Sequence, residues 1–190
     1  MLQKLILASS SPRRQELLQQ MRIPFQIRKP NLDESQIKDT DPVTKVKQLA
    51  ILKGKNVPIQ TETEVILAAD TVVSFQQNIF EKPKSKQEAY KMIKGLSGKK
   101  HHVYTGVMIR CQEKEMTFVE STTVSFWPLT EKEILSYIET EEPYDKAGGY
   151  GIQSVGAMFV KRIEGDYYNV VGLPISRVVR ELKTFGIHPQ

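Results

Sequence analysis

The chain lacks the features that several classes of protein need. Among its 190 residues is one cysteine, Cys111, which cannot form a disulfide within the chain and suits a reducing compartment. No apolar run is long enough for a transmembrane helix, and LILA at residues 5–8 is too short for a secretory signal. These absences predict a cytoplasmic protein with no membrane partner.

Histidine is scarce, and charge of either sign is not concentrated anywhere. The three histidines, His101, His102 and His188, lack the spacing of a zinc motif such as HExxH. The formal net charge of +5 is modest, and no block of five or more like charges occurs. The sequence therefore predicts no zinc site and no nucleic acid partner, while a small anionic molecule fits the charge balance.

Strand and helix patterns alternate in the first half of the chain. KLILAS, PFQIRK and the apolar TEVILAADTVVSF are typical of strands, and the last has the composition of a strand buried on both faces. Helical spacing of apolar residues predicts helices over residues 12–22 and 41–57. Alternation of this kind is typical of α/β proteins.

The second half contains patterns of hairpins with helices between them. HHVYTGVMIRC and KEMTFVESTTVSFW predict one hairpin across QEKE, and AMFVKRIEGDYYNVV predicts another that turns near Glu164 and Gly165. Further helices are predicted to begin at Ser85, Thr130 and Pro174. The two halves together predict one α/β (α+β) domain over residues 1–190, with a mixed, twisted β-sheet flanked by helices.

The stretch SSSPRR at residues 9–14 follows the first strand and begins a helix. Proline suits the first helical position, so Ser11 is the predicted N-cap. A helix N-terminus has unpaired N–H groups and a partial positive charge, and Ser10, Arg13 and Arg14 add donors that suit phosphate oxygens. The alternative is an ordinary surface helix with solvated arginines.

Three carboxylates are candidates for a metal site. Asp70 lies within or at the end of an apolar strand, where a buried carboxylate needs a cation, a metal or a proton to handle. Its alternative role is to cap the next turn. Asp33 and Glu34 follow the second strand, and three oxygen ligands of this kind suit Mg²⁺ or Mn²⁺. An acidic pair in a loop is, by itself, most often solvated.

Two lysines and a glutamine complete the candidates. Lys53 faces inward from its helix and Lys82 lies between a strand and a helix, so each is suited to neutralising phosphate charge; the alternative for each is a surface position. The loop AGGYGIQ ends at Gln153, whose amide has the donor and the acceptor that recognition of a base edge requires. The combination indicates a metal-dependent enzyme that acts on a nucleotide.

With these residues in place, the sequence resembles the Maf family of nucleoside triphosphate pyrophosphatases, relatives of the inosine triphosphatase-like fold. The motifs LILASSSPRRQELL, AADTVV, EKP, LSGKKHHVYTGV, DKAGGYGIQ and GDYYNVVGLP follow in the family's order along essentially the whole chain. The resemblance implies a mixed-sheet fold with a cleft between two lobes, and a homodimer. It implies hydrolysis of a nucleoside triphosphate to the monophosphate and pyrophosphate with Mg²⁺ or Mn²⁺, and a link to septum formation.

The resemblance also implies roles for individual residues. Asp70 matches the family's catalytic carboxylate, and Asp33 or Glu34 would join it as a metal ligand. Arg13, Thr71 and Gln153 match positions linked to substrate choice, and the branch with these residue types acts on dTTP and UTP, including modified pyrimidine nucleotides. The residues similar to those that line the family's phosphate and metal site are Ser10, Arg14, Glu34, Lys53 and Lys82.

One position departs from the family pattern. The family usually continues Ile-Gln-Gly, whereas Ser154 follows Gln153 here. If that glycine has a positive φ, a serine in its place is strained. The alternatives to a dTTP/UTP pyrophosphatase are an enzyme for another nucleotide, a nucleotide sensor that does not turn over, and a basic RNA-binding protein.

Overall fold

A computed structural model describes residues 2–190, which form one mixed sheet of seven strands with six α-helices packed around it. The strands are β1 (Lys4–Leu7), β2 (Phe25–Ile27), β3 (Glu64–Phe75), β4 (Asn78–Phe80), β5 (Lys100–Arg110), β6 (Glu115–Phe126) and β7 (Val160–Glu164). The helices are α1 (Pro12–Gln20), α2 (Pro42–Asn56), α3 (Lys86–Leu96), α4 (Glu131–Ile138), α5 (Tyr167–Val171) and α6 (Ile175–Lys183). Short 3₁₀ turns lie at Glu34–Gln36, Glu142–Asp145, Ala147–Gly149 and Val155–Phe159.

The sheet confirms the predicted mixed topology. Its order is β2-β1-β3-β5-β6-β7, with β4 paired to the end of β3. β1 pairs with β2 and β3 in parallel, and β3, β5, β6 and β7 pair antiparallel. Among residues 2–190, no helix has the length and apolar character required to cross a bilayer.

Three long strands connect two hydrophobic cores. The first core includes Leu17, Leu67, Val107, Phe118 and Val178. The second core includes Val73, Ile93, Val103, Val124 and Phe159. Since β3, β5 and β6 each contribute to both cores, the two lobes are built on one continuous sheet.

Helix α2 packs unusually closely against β5. A Cβ atom built on Gly106 would lie 2.2 Å from the carbonyl oxygen of Val46, so only glycine permits this approach. The close contact fixes α2 on the face of the sheet that also carries Asp70, because Asp70 on β3 lies directly opposite Gly106 and directly opposed residues share a face.

Several predicted helix starts are confirmed. Ser85 caps α3 by accepting from the Glu88 N–H, and Thr130 forms a capping box with Glu133 at α4. Ser11 lies at the N-cap position of α1, but its side chain makes no capping bond. Instead the Ser11 N–H donates to the Ser9 hydroxyl at 3.2 Å.

The second predicted hairpin is wrong. Only β7 is a strand, and the segment after Gly165 forms α5. Asp166 caps this helix by accepting from the Tyr168 N–H at 2.8 Å, and Gly172 ends it with a φ of 123°. The wholly buried Asn169 stabilises the helical conformation because its amide donates to the Val103 carbonyl and the Thr122 hydroxyl.

Candidate active site

A cleft of about 1320 Å³ opens where β1 ends. All the predicted site residues except Asp33 line it, namely Ser10, Arg13, Arg14, Glu34, Lys53, Asp70, Thr71, Lys82 and Gln153. These residues come from six separate parts of the chain, so the fold brings together residues that are distant in sequence. The structure thus places these nine residues around one cavity, and their individual roles stay predictions.

The position of the cleft follows from the unequal lengths of β1 and β3. The two strands are parallel, and β1 stops at Leu7, opposite Leu67, while β3 continues to Phe75. The loop that starts α1 leaves the sheet at this point, so Asp70 and Thr71 lie beside it. Ligand sites in open sheets form at such carboxyl ends of parallel strands.

Asp70 is held by a lysine, as its buried position requires. It lies within β3, opposite Gly106 on β5, and does not cap a turn. The Lys53 Nζ lies 2.5 Å from Asp70 Oδ1 and 3.0 Å from Glu34 Oε2. Asp70 and Lys53 are each 9% exposed, whereas the Glu34 side chain is 54% exposed. A single ammonium thus lies between two carboxylates at the cleft.

Asp33 does not join this group. Its carboxylate accepts from the Ser35 N–H at 3.0 Å and caps the turn that starts at Glu34. Within residues 2–190, no three His, Cys, Asp or Glu side chains converge as a metal-binding group. The predicted set of three carboxylates is therefore not assembled, and Glu34 rather than Asp33 lies beside Asp70. Mg²⁺ commonly uses only one or two protein carboxylates, so the oxygens of Asp70 and Glu34 are of the type and number that such a cation needs.

Arg14 is fixed against the wall of the cleft by three hydrogen bonds. Its Nε donates to the Gly172 carbonyl at 2.8 Å, Nη1 to the Ser9 hydroxyl at 3.2 Å and Nη2 to the Thr71 hydroxyl at 3.2 Å. Burial lowers the pKa of this guanidinium from its ordinary value, while the Asp70 charge opposes the shift. Arg14 is therefore a pre-oriented donor with N–H groups left for an anion.

The Thr71 hydroxyl belongs to a buried polar chain behind Arg14. It lies 2.9 Å from the Thr105 hydroxyl, which donates to the Asn169 carbonyl at 3.1 Å. Thr105 and Asn169 were not among the sequence candidates, although each is a polar residue in an apolar stretch. Because the Thr71 hydroxyl is hydrogen-bonded to both Arg14 and Thr105, its main role is to hold Arg14 in place.

Arg13 reaches across the cleft to a residue that the sequence analysis missed. Its Nη1 donates to Asp145 Oδ2 at 2.6 Å, and its Nη2 donates to the Asp145 carbonyl at 3.2 Å. Lys146 also donates to Asp145, at 2.7 Å. Burial alone would raise the pKa of Asp145, but the hydrogen bonds from Lys146 and Arg13 hold it below its ordinary value. Arg13 thus already has an anionic partner.

The other cations of the cleft differ in their partners. Lys45, which the sequence analysis also missed, lies 2.5 Å from the exposed carboxylate of Glu81. Lys82 lines the cleft next to Glu81 in the sequence, and the side chains of Lys82 and Ser10 are both exposed. Cationic groups consequently line several sides of the cavity, which suits a polyanion.

Gln153 is exposed at the cleft, on the loop that contains the glycine-rich motif. Gly148 and Gly149 in this motif have φ values of 71° and 74°, which explains the need for glycine at these positions. Ser154 has a φ of −131°, outside the positive-φ region that favours glycine. The strain predicted for a serine in a positive-φ position is therefore absent.

Comparisons with known proteins identify the family of this chain. A family model described as "Maf-like protein" matches residues 4–185. A dTTP/UTP pyrophosphatase of Halalkalibacterium halodurans is 52% identical over 182 residues, which are 96% of each chain. A dTTP/UTP pyrophosphatase of Geobacillus sp. is 52% identical over 97% of this chain and 100% of its own. One of Bacillus cereus is 49% identical over 98% of this chain and 97% of its own. The chain belongs to the Maf-like protein family.

Proposed function

We propose that this chain is a hydrolase that cleaves dTTP and UTP, and modified pyrimidine nucleotides, to the nucleoside monophosphate and pyrophosphate. The observation that carries the proposal is the buried Asp70 carboxylate paired with Lys53 at a cleft lined by cations. Relatives named dTTP/UTP pyrophosphatase, which are 49% to 52% identical to this chain over nearly its full length, support the choice of reaction and substrate.

The start of α1 binds the triphosphate. Ser10 and Arg14 donate hydrogen bonds to the phosphate oxygens, and Arg14 needs little reorganisation because the protein already fixes it. Arg13 exchanges Asp145 for a phosphate oxygen. Lys82 neutralises charge from the other side of the cleft.

Asp70 acts on the attacking water. The carboxylate orients the water and accepts its proton while the water oxygen forms a bond to the α-phosphorus. The bond between the α-phosphorus and the oxygen that bridges to the β-phosphate breaks, and pyrophosphate leaves with that oxygen. Lys53 and Lys82 stabilise the negative charge that develops on the phosphates.

Asp70 and Glu34 are the residues that would hold Mg²⁺ or Mn²⁺. Their oxygens are of the type these cations prefer, and such a cation would replace the Lys53 ammonium as their positive partner, which would leave Lys53 for the phosphates. When bound, such a cation supplies further neutralisation of phosphate charge.

Gln153 recognises the base. The edge of thymine or uracil offers carbonyl acceptors and an N–H donor, and a glutamine amide complements both. The Thr71 hydroxyl is hydrogen-bonded to Arg14 and Thr105, so Thr71 affects substrate choice indirectly, by fixing the position of Arg14.

A product assay tests the proposal. The purified chain is incubated with each common nucleoside triphosphate in Mg²⁺, in Mn²⁺ and in excess chelator, and the products are separated. We expect monophosphate and pyrophosphate, formed fastest from dTTP and UTP and only with a divalent cation. Diphosphate and phosphate as products would overturn the mechanism, and binding without turnover would make the chain a nucleotide sensor.

A homodimer and a link to septum formation stay predictions of the family resemblance, and a cytoplasmic location stays a prediction from the sequence composition. The first is accessible to light scattering on the purified chain, which distinguishes the mass of one chain from that of two. A dimer that persists at nanomolar concentration would support the prediction, and a monomer at all concentrations would contradict it.

A further inference from the structure

The backbone on both sides of Gln153 is hydrogen-bonded to two side chains that do not line the cleft. The Gly151 N–H donates to the Tyr137 hydroxyl at 3.3 Å. On the other side, the N–H groups of Val155 and Gly156 donate to the two carboxylate oxygens of Glu142, each at 3.0 Å. Gln153 therefore lies in a short segment whose two ends are both held.

The two side chains also contact each other. The Tyr137 hydroxyl donates to Glu142 Oε1 at 3.1 Å, so one hydrogen-bonded unit holds both ends of residues 151–156. We call Tyr137 and Glu142 the clasp. Tyr137 is almost fully buried on α4, with its ring 4.8 Å from that of Phe159 in the second core. The clasp thus connects the loop to the rigid interior of the second lobe.

Residues 151–156 pack closely against the clasp. A Cβ atom built on Gly156 would lie 2.6 Å from the Gly151 carbonyl oxygen and 2.9 Å from the Tyr137 hydroxyl. Neither contact is possible for a real side chain, so the two ends of the segment meet only because Gly156 lacks one. This packing leaves Gln153 at the tip of a tightly closed loop.

The charge of Glu142 strengthens the clasp. Burial alone would raise the pKa of Glu142, but the hydrogen bonds, led by that from the Gly156 N–H, hold it below its ordinary value. Burial raises the pKa of Tyr137, with the Glu142 charge acting in the same direction, so the hydroxyl stays a neutral donor. Hydrogen bonds to a charged acceptor are about twice as strong as neutral ones.

We propose that Tyr137 and Glu142 are positioning residues that determine base specificity by fixing Gln153. The inference rests on the proposed function, in which Gln153 recognises the pyrimidine. The turn that contains Glu142 also contains Asp145, the partner of Arg13. One short turn therefore sets the position of the base-recognition loop relative to the phosphate-binding helix.

Three variants test the clasp by its effect on selectivity. Glu142→Gln removes the charge and one acceptor, and Tyr137→Phe removes only the hydroxyl. Glu141→Gln makes the same charge change at the exposed neighbouring residue and is the matched control. We expect the preference in kcat/KM for dTTP over dCTP and dGTP to fall about tenfold in both clasp variants, mainly through KM for dTTP. The control keeps the wild-type preference.

A double substitution separates a positioning role from a general loss of stability. In a Gln153→Ala background, Glu142→Gln should cause no further loss of selectivity, because its effect runs through Gln153. Affinity for inorganic triphosphate, which has no base, should stay at the wild-type value in Glu142→Gln. An additive loss of selectivity, or a parallel loss of triphosphate affinity, overturns the inference.

The outcomes also separate this inference from the proposed function. If the wild-type chain releases pyrophosphate and Gln153→Ala relaxes selectivity, while both clasp variants keep it, only the inference is wrong. If Glu142→Gln does not fold, Tyr137→Phe provides the same readout. A wild-type chain that releases no pyrophosphate overturns the proposed function and this inference with it.

Discussion

The Lys53 ammonium lies 2.5 Å from the Asp70 carboxylate, joining α2 to β3 at a point where both residues are buried. The two residues are a buried ion pair, and removal of either partner leaves an uncompensated charge. The same pair neighbours Glu34, so the charge balance of the cleft depends on all three groups.

Asp70→Asn should remove most of the turnover while nucleotide binding persists. The amide cannot accept the proton of the attacking water, and a general base contributes about a hundredfold to ten-thousandfold to the rate. Pyrophosphate release measures the rate, and calorimetric titration with dTTP measures binding. Asp33→Asn is the control and should keep wild-type activity, because it removes a charge outside the cleft but keeps the side-chain oxygen that accepts from the Ser35 N–H. Wild-type turnover in Asp70→Asn would contradict the assigned role.

Arg13 and Asp145 should have opposite effects on substrate affinity. Arg13→Ala removes a phosphate donor and should raise KM for dTTP, whereas Asp145→Asn removes an anion that competes for Arg13 and should lower it. Partly exposed pairs contribute about 0.2–1 kcal/mol, so shifts in KM of up to about fivefold are expected. Steady-state kinetics at low and high salt measure both. A higher KM in Asp145→Asn would show instead that Asp145 is needed to orient Arg13.

His101 should make the fold sensitive to mild acid. The residue is fully buried, its Nε2 lies 2.7 Å from the Tyr150 hydroxyl, and burial lowers its pKa from 6.5 to about 3. The folded chain therefore keeps His101 neutral where the unfolded chain binds a proton, so the free energy of unfolding falls as the pH drops below 6.5. The slope approaches about 1.4 kcal/mol per pH unit, or about 2 kcal/mol between neutral pH and pH 5.

Urea unfolding at pH 7 and pH 5 measures this contribution. His101→Phe should lose about 2 kcal/mol less than the wild type over this interval, whatever its stability at pH 7. His102→Phe, at the exposed neighbour on the same strand, should keep the wild-type dependence. Equal pH dependences for the wild type and His101→Phe would contradict the prediction.

Gly106→Ala should destabilise the chain, whereas Gly95→Ala should not. The added methyl group at Gly106 would meet the Val46 carbonyl, and forced overpacking costs about 1–3 kcal/mol or more. At Gly95, within α3, a Cβ meets no atom within 4 Å, so alanine should stabilise the helix by about 0.5–1 kcal/mol. Thermal unfolding followed by circular dichroism compares the pair, and a melting temperature unchanged by Gly106→Ala would contradict the packing argument.

Features specified by neighbouring residues could be predicted from the sequence. The Thr130–Glu133 capping box and the Ser85 cap depend on contacts across three residues, and both are confirmed. The burial of Asp70 could also be predicted, because its strand neighbours are apolar. The α5 helix was missed since it depends on Asn169, whose amide partners are on β5 and β6.

The residues of the candidate site that the sequence did not reveal also depend on contacts between distant segments of the chain. Asp145 and Glu142 lie in the acidic segment EEPYD, which has the composition of a solvated loop, and their partners come from distant segments of the chain. Asp33 and Glu34 are adjacent in sequence, and only the turn capped by Asp33 decides that Glu34 faces Lys53. Pairings over such separations are set by tertiary packing rather than by local pattern.

The unbroken course of β3 through both cores has a mechanical consequence. This strand places Leu67 in the first core and Val73 in the second, with Asp70 and Thr71 between them. A strand shared in this way provides no hinge between the two lobes. Because it contributes to both cores, we also expect local unfolding of one lobe to destabilise the other. We expect a nucleotide to enter by the exchange of surface ion pairs such as that of Arg13, with the scaffold itself nearly motionless.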